Sequence, residues 1–255
     1  MILKFLKKSQ VSIFVIVGVF VLFGIILYFV FSNNLLNSDN VDVEVRPVYN
    51  FIQDCIMQTS EDAIYQIGST GGYVVAKEPF LELISDDGYS RKVSYYLSSG
   101  NNLMPSLESV ERELELYVDD MIYFCINDFN DCSGFEVEGG EVITESIIEE
   151  DKVVFNVNYP ISLKKGEDSY SFEKFNVEVP VRLGMVYEVV GDVLEKNSGK
   201  GICLNCLYDI GNENDVGVHI IEKDDDVVFV INDKLSKING NNYEFYFVKS
   251  GGENE

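Results

Sequence analysis

Five cysteines, at positions 55, 125, 132, 203 and 206, are the residues best equipped for chemistry in this 255-residue chain. Cys203-Leu204-Asn205-Cys206 is a CxxC, the spacing of redox-active dithiols and of half a zinc site. A redox dithiol calls for a βαβ setting and a lowered thiol pKa. Lys200-Gly201-Ile202, immediately ahead, does not spell out a preceding strand. Zinc needs four ligands, and only this pair and the single His219 are on offer. The pair therefore reads as a structural disulfide or as plain helix-face cysteines. An extracytoplasmic thiol–disulfide oxidoreductase using Cys203 and Cys206 is the alternative function.

Other catalytic sets are weaker. Gly68-Ser69-Thr70-Gly71 lacks the spacing of a G-x-S-x-G elbow. His219 stands in Val218-His219-Ile220-Ile221, a strand-like run in which a histidine is more often structural than a base. The chain has no Walker loop, no G-x-G-x-x-G and no H-E-x-x-H. Glu149-Glu150-Asp151, Asp224-Asp225-Asp226 and the segment 209–215 (DIGNEND) are rich in the oxygens that suit calcium. None fits the D-x-[DN]-x-[DN]-G loop, so they read as solvated acidic turns. The expectation is a protein that is not an enzyme, with no catalytic residue, metal ligand or cofactor assigned.

Charge narrows the partners. Lys4, Lys7 and Lys8 are the only charged groups in residues 1–32, so residues 33–255 carry 16 basic and 43 acidic side chains, a net of −27. Nucleic acid is excluded as a partner, because phosphate binding releases counterions only from a basic patch. Val11 to Phe31 is a 21-residue run without a charge. At about 1.5 Å per residue it covers the roughly 30 Å hydrocarbon layer of a bilayer. A cleaved secretory signal would have a shorter core and a small-x-small site, which Phe29-Val30-Phe31-Ser32 is not. The expected organisation is a basic cytoplasmic N-terminus (1–10), a transmembrane helix (11–32) contacting the lipid bilayer, and an Asn/Asp-rich linker (33–46). An extracytoplasmic domain (47–249) and a polar tail (250–255) follow. The three lysines place the N-terminus in the cytoplasm by the positive-inside rule.

The elements that must position the cysteines follow from periodicity. Pro47 suits a first helical turn. Val48, Phe51, Ile52, Cys55, Ile56, Ala63, Ile64 and Ile67 recur at three- and four-residue spacing, which predicts an amphipathic helix over 47–67 ended by Gly68. Gly71-Gly72-Tyr73-Val74-Val75 reads as a turn into a strand, and 91–97 as a short strand. A second helix starts after Pro105 with Ser106 as its cap, its apolar stripe running through Leu107, Val110, Leu114, Tyr117, Met121 and Cys125. Period two then predicts strands at 153–159 and 175–179, turning over 164–168. A third helix covers 183–196, and a shorter helical piece covers 202–210. Closing strands are read at 216–221, 227–231 and 243–248, with a turn at Asn239-Gly240. The fold class is α+β, two or three amphipathic helices packed on a mainly antiparallel sheet. Cys55 and Cys125 fall on the apolar faces of their helices, which favours a disulfide between them, worth about 3–4 kcal/mol. The alternative is two buried thiols, and Cys132 is left over if 203 and 206 pair.

Lys7-Lys8-Ser9-Gln10-Val11-Ser12, opening into an apolar run, resembles the class III (prepilin-like) signal of archaeal pilins and related surface proteins. The resemblance implies cleavage between Ser9 and Gln10. That family continues Gln-x-Ser-x-Glu, and this chain has Phe14 in place of the Glu, which speaks for an anchored protein over a major pilin. Cys55-Ile56, the run Ile67 to Val74 and Cys125-Ile126-Asn127-Asp128-Phe129 resemble a group of single-pass surface proteins of small-genome archaea. That likeness brings topology and fold class but no activity. The expected role is a membrane-anchored surface protein whose acidic domain binds or supports unidentified surface proteins, as in an accessory subunit of a pilus-like assembly.

Overall fold

A computed structural model describes residues 41–251, apart from 85–87, 89, 130, 131, 133 and 200. The basic N-terminus, the 11–32 segment, the Ser9–Gln10 junction and linker residues 33–40 lie outside the described residues. Contacts divide the chain between Arg46 and Pro47.

Helix α1 (Arg46–Thr70) buries Val48, Ile52, Cys55, Ile56, Ala63, Ile64 and Ile67, the stripe that its spacing predicts. It runs past Gly68, because a glycine is needed there for another reason. A Cβ at Gly68 would stand 2.6 Å from the Glu244 carbonyl oxygen, so the glycine lets the helix cross the backbone of a strand. The helix stops at Gly71 and Gly72, both in the left-handed region, where the Gly72 N–H donates to the Ile67 carbonyl at 2.7 Å. This is the 6→1 closure of a Schellman motif. The predicted strand at 73–75 is absent. Side chains serve its backbone instead: Val74 N donates to Glu113 Oε2 at 2.8 Å, and Val74 O accepts from Gln66 Nε2 at 2.8 Å.

Two sheets follow. In the first, β1 (Phe80–Ile84), β2 (Ser90–Ser98), β10 (Asn241–Lys249), β9 (Asp226–Ile238) and β8 (Gly217–Lys223) lie side by side in that order, and β3 (Asn101–Asn102) pairs with β2. All pairings are antiparallel except β2 with β10. In the second, β6 (Val153–Lys165) has β7 (Asp168–Val179) along one edge, while β5 (Ile143–Ile148) and β4 (Glu136–Gly139) share the other. Val153, Phe155, Val157, Tyr159, Ile161 and Leu163 alternate inward along β6, as period two demands.

Helix α2 (Leu107–Ile126) starts where Ser106 accepts from the Ser109 N–H. Its buried residues are Val110, Leu114, Val118, Ile122 and Ile126, a strict four-residue series. Tyr117 and Met121 lie beside that line, and Cys125 borders it. On the same helix Glu115 Oε1 accepts from Ser146 N at 3.0 Å and Glu111 Oε1 from Ile148 N at 2.9 Å. Carboxylates thus receive the outward N–H groups of β5, whose opposite edge is paired to β6. Helix α3 (Leu183–Lys196) buries Leu183, Val186, Val189, Val190 and Val193. Its start is held by Arg182, whose guanidinium meets the fully buried Asp233 through Nε at 3.0 Å and through Nη2. Asp233 also accepts from Leu235 N at 3.0 Å and from the Ser236 hydroxyl. The residues that make this possible bulge from β9, whose register jumps between Lys237 and Asp233 opposite Asn242 and Tyr243. Helix α4 (Leu204–Asn214) ends at Asp215 in the left-handed region.

The expected architecture is corrected accordingly. There are four helices and two sheets among the described residues, and one strand pair is parallel, a direction that alternation alone does not encode. No helix among the described residues is long and apolar enough to cross a membrane, so the helix expected at 11–32 has no counterpart in the described structure.

Candidate functional site

The parallel pair β2–β10 is short, matching Tyr95 to Val248 and Leu97 to Lys249. Before that point β2 follows β1 and β10 follows β9, so the two strands part. The C-terminal end of α1 enters the gap. A Cβ at Gly71 would lie 3.1 Å from the Tyr246 carbonyl oxygen and 3.5 Å from Ser94. The gap is filled only in part. A cleft of about 690 Å³ opens beside it, walled by Val74 and Val75 after α1, by Leu83, Ile84, Arg91 and Lys92 on β1 and β2, and by Ile221 on β8. A second recess of about 480 Å³ adjoins it, with Asn232, Asn242 and Glu244 in its lining. Ser69, Arg91 and Tyr246 line both.

Arg91 is the charged centre of this surface. Its guanidinium lies 4.2 Å from the centroid of the Tyr246 ring, the stacking a weakly hydrated planar cation favours. Tyr246 is held in turn, its hydroxyl donating to Glu244 Oε2 at 2.6 Å. Burial and that carboxylate push its pKa up, against a smaller downward pull from Arg91. Glu244 Oε1 accepts from Asn232 Nδ2 at 2.8 Å, and Asn232 Oδ1 from Asn242 Nδ2 at 3.0 Å. A polar relay therefore fixes the ring on which Arg91 rests. Among the described residues no acidic side chain lines the first recess, in a chain with 43 of them. Its hydroxyls are engaged: Ser69 and Thr70 both donate to the Gln66 carbonyl, at 2.8 and 2.9 Å. What remains is a recess lined by Arg91, Lys92 and exposed aliphatic side chains.

The residues singled out in the sequence lie elsewhere. Cys55 and Cys125 are bonded, with Cα atoms 5.6 Å apart, tying α1 to α2. Cys203 and Cys206 are bonded to each other, 5.2 Å apart, and Cys132 is buried outside both pairs. Cys203 caps α4, and Cys206 N donates to its sulfur at 3.3 Å. No strand leads into it, since the CxxC follows α3 by a loop that Lys249 Nζ holds at Gly199 O and Gly201 O. His219 is exposed on β8. Asp224 and Asp225 form the two-residue turn between β8 and β9, and Asp226 accepts from the Tyr95 hydroxyl. Glu149 and Lys152 close the β5–β6 turn, and 209–214 belong to α4. Among the described residues no three His, Cys, Asp or Glu side chains gather as a metal cage. Sequence reasoning missed Arg91 and Tyr246. The available signal was Arg91-Lys92, two adjacent cations in an acid-rich domain. No protein-family model, no curated protein and no solved structure matches this chain.

Proposed function

We propose that this chain is a non-enzymatic binding protein working outside the cytoplasm, with the cleft between β2 and β10 as its ligand seat. The observation that carries the reading is Arg91, stacked on Tyr246 where two recesses meet and facing no carboxylate within ion-pair distance among the described residues. The two disulfides support an oxidising address. The engaged hydroxyls of Ser69 and Thr70 support capture over turnover. An accessory place in a surface or pilus-like assembly fits this role. The test is photo-crosslinking in native cells from a benzophenone group at Val75, with the same group at Asp192 on the solvent face of α3 as control. Adducts specific to Val75 are expected. Equal yields from both positions, or none, would remove the cleft as a binding seat.

A second reading has one observation in its favour, the placement of Cys203 as helix cap with an N–H directed at its sulfur. A helix N-terminus stabilises a thiolate, so Cys203 is suited to leave when a substrate thiolate attacks Cys206. A second substrate thiol would then attack the mixed disulfide, releasing the reduced Cys203–Cys206 pair and an oxidised substrate. Turnover of a model dithiol with glutathione disulfide present to re-oxidise the pair, lost in the C203A/C206A double variant, is the expected result on this reading, and unchanged turnover in that variant excludes it.

A further inference from the structure

We infer that the cleft seats an extended peptide segment, with an acidic side chain on Arg91 and an apolar side chain two residues away against Val75, Ile84 and Ile221. This rests on the binding role proposed above and names its ligand.

Three features of the cleft specify the segment. The first is charge. Arg91 and Lys92 enter the first recess with no acid in its lining among the described residues. The one carboxylate lining the second recess among the described residues, Glu244, is engaged by Tyr246 and Asn232. The Arg91 guanidinium over the Tyr246 ring carries five N–H donors, more than that ring and its hydroxyl take up, so donors remain for a carboxylate. The surrounding negative charge opposes an anion at long range, but beyond about 8 Å it is screened at physiological salt. The local pair then dominates. Arg91 lines both recesses and so stands mid-groove, which suits the side chain of a through-running segment better than a chain terminus.

The second feature is apolar exposure. Val75 is 74%, Ile84 70% and Ile221 44% exposed, and all three line this one recess from separate segments of the chain. Large apolar side chains gathered around one opening mark a contact surface.

The third feature is backbone. β1 pairs only with β2 and β8 only with β9 among the described residues. These two free edges approach each other, since Lys223 Nζ on β8 donates to the Glu82 carbonyl on β1. Ile84 and Ile221 bring both edges to the cleft. Unpaired strand groups select a partner with its own amides, which a fatty acid or a uronic acid chain lacks. In an added strand, side chains two residues apart point to the same face, about 6.6 Å apart. The recognised pattern is therefore acidic–x–apolar.

The full chain in detergent micelles is titrated against a capped, fluorescent nine-residue peptide with Glu fourth and Val sixth in a Ser/Thr background. Saturable binding is expected, weakened at least tenfold by Glu→Gln or Val→Ser in the peptide and by Arg91→Met in the protein. Arg91→Met should cost the Gln peptide little, since the partner charge is already gone. Ile84→Asp, at a solvent-facing position, should weaken binding while leaving the urea midpoint unchanged. No saturation by 1 mM peptide, or equal affinity of Arg91→Met and wild type, overturns the inference. Tight binding of decanoate or a polyuronate in place of the peptide also overturns it. If the Val75 adducts persist in any of these cases, the binding role stands and only the ligand class falls; if they are absent too, both fall.

Discussion

Replacing Glu115 by alanine tests how the edge of β5 is held. Four residues of α-helix advance about 6.0 Å, and two residues of strand about 6.6–6.8 Å. Carboxylates at i, i+4 and i+8 on α2 can therefore meet every second N–H of an adjacent strand running the other way. The structure has this order: Glu111 receives Ile148, Glu115 receives Ser146, and Asp119 faces Thr144. A hydrogen bond to a charged group contributes about 1.5–3 kcal/mol. Glu115→Ala should thus lower the urea unfolding free energy by about 2 kcal/mol at an unchanged m-value. Glu115→Gln keeps an acceptor and should lose less than half of that. Amide exchange at Ser146 should accelerate in both variants, in the same rank order. A loss below about 0.5 kcal/mol for the alanine variant, the range of an ordinary surface change, would refute the ladder. Equal losses for alanine and glutamine would refute it as well, by assigning the effect to packing.

Three further outcomes follow from buried groups. Asp119 holds its proton more tightly in the fold, because burial, with Glu115 and Asp120 nearby, outweighs the downward pull of Thr144. The native state then binds the extra proton, so this group's contribution falls as pH rises from the ordinary carboxyl value of about 3.9 through the raised one; Asp119→Asn should abolish that slope in a pH series of urea midpoints. Asp233 has the opposite sign: Arg182, Ser236 and Leu235 N hold its carboxyl below the ordinary value despite burial, and its stability is lost as pH falls through that lowered value. Arg182→Met should cost about 3 kcal/mol, the low end for breaking a buried pair, since Arg182 keeps 21% of its side-chain surface in solvent; a drop under 1 kcal/mol in urea titration would count against the pair. Cys55 and Cys125 are 70 residues apart in sequence, and closing such a loop contributes about 4 kcal/mol, so C55A/C125A should show a thermal midpoint many degrees lower under oxidising conditions and no difference once wild type is reduced.

The helices were legible because their signals are local. Ser106 caps α2, and α3 spans the predicted 183–196 because its valines repeat within one continuous stretch. The strands over 153–179 were legible for the same reason, although both extend to the two-residue turn at Gly166 and Glu167. β1, β4 and β5 were not. β4 has one half-buried residue in four, and β5 alternates Ile, Thr, Glu and Ser with its isoleucines at 143 and 147 turned outward. Two of the three inward residues of β5, Thr144 and Ser146, are polar, and the edge of the strand is held by Glu111 and Glu115, information held 30 residues earlier in the chain. The stripe of α2 was read through Tyr117 and Met121, yet the four-residue series through Val118 and Ile122 packs inward. Tyr117 and Val118 differ by one position, and composition alone does not rank them.

The cleft shows the same limit at larger scale. It exists because β2 and β10 pair over two registers and then part, and a parallel pair needs a long crossover between its strands. Here the crossover holds the whole second sheet, so Arg91 and Tyr246 are 155 positions apart when they meet. No short motif can encode such a site. Each member reads as ordinary alone: a cation starting a strand, a tyrosine in an alternating run, three exposed aliphatic side chains. Only their convergence around one opening separates a ligand seat from surface, and convergence is a property of topology. The acidic surplus of the domain is screened beyond about 8 Å at physiological salt, so recognition rests on the contacts at the opening itself. A segment that supplies carboxylate, apolar side chain and strand backbone together is held by all three.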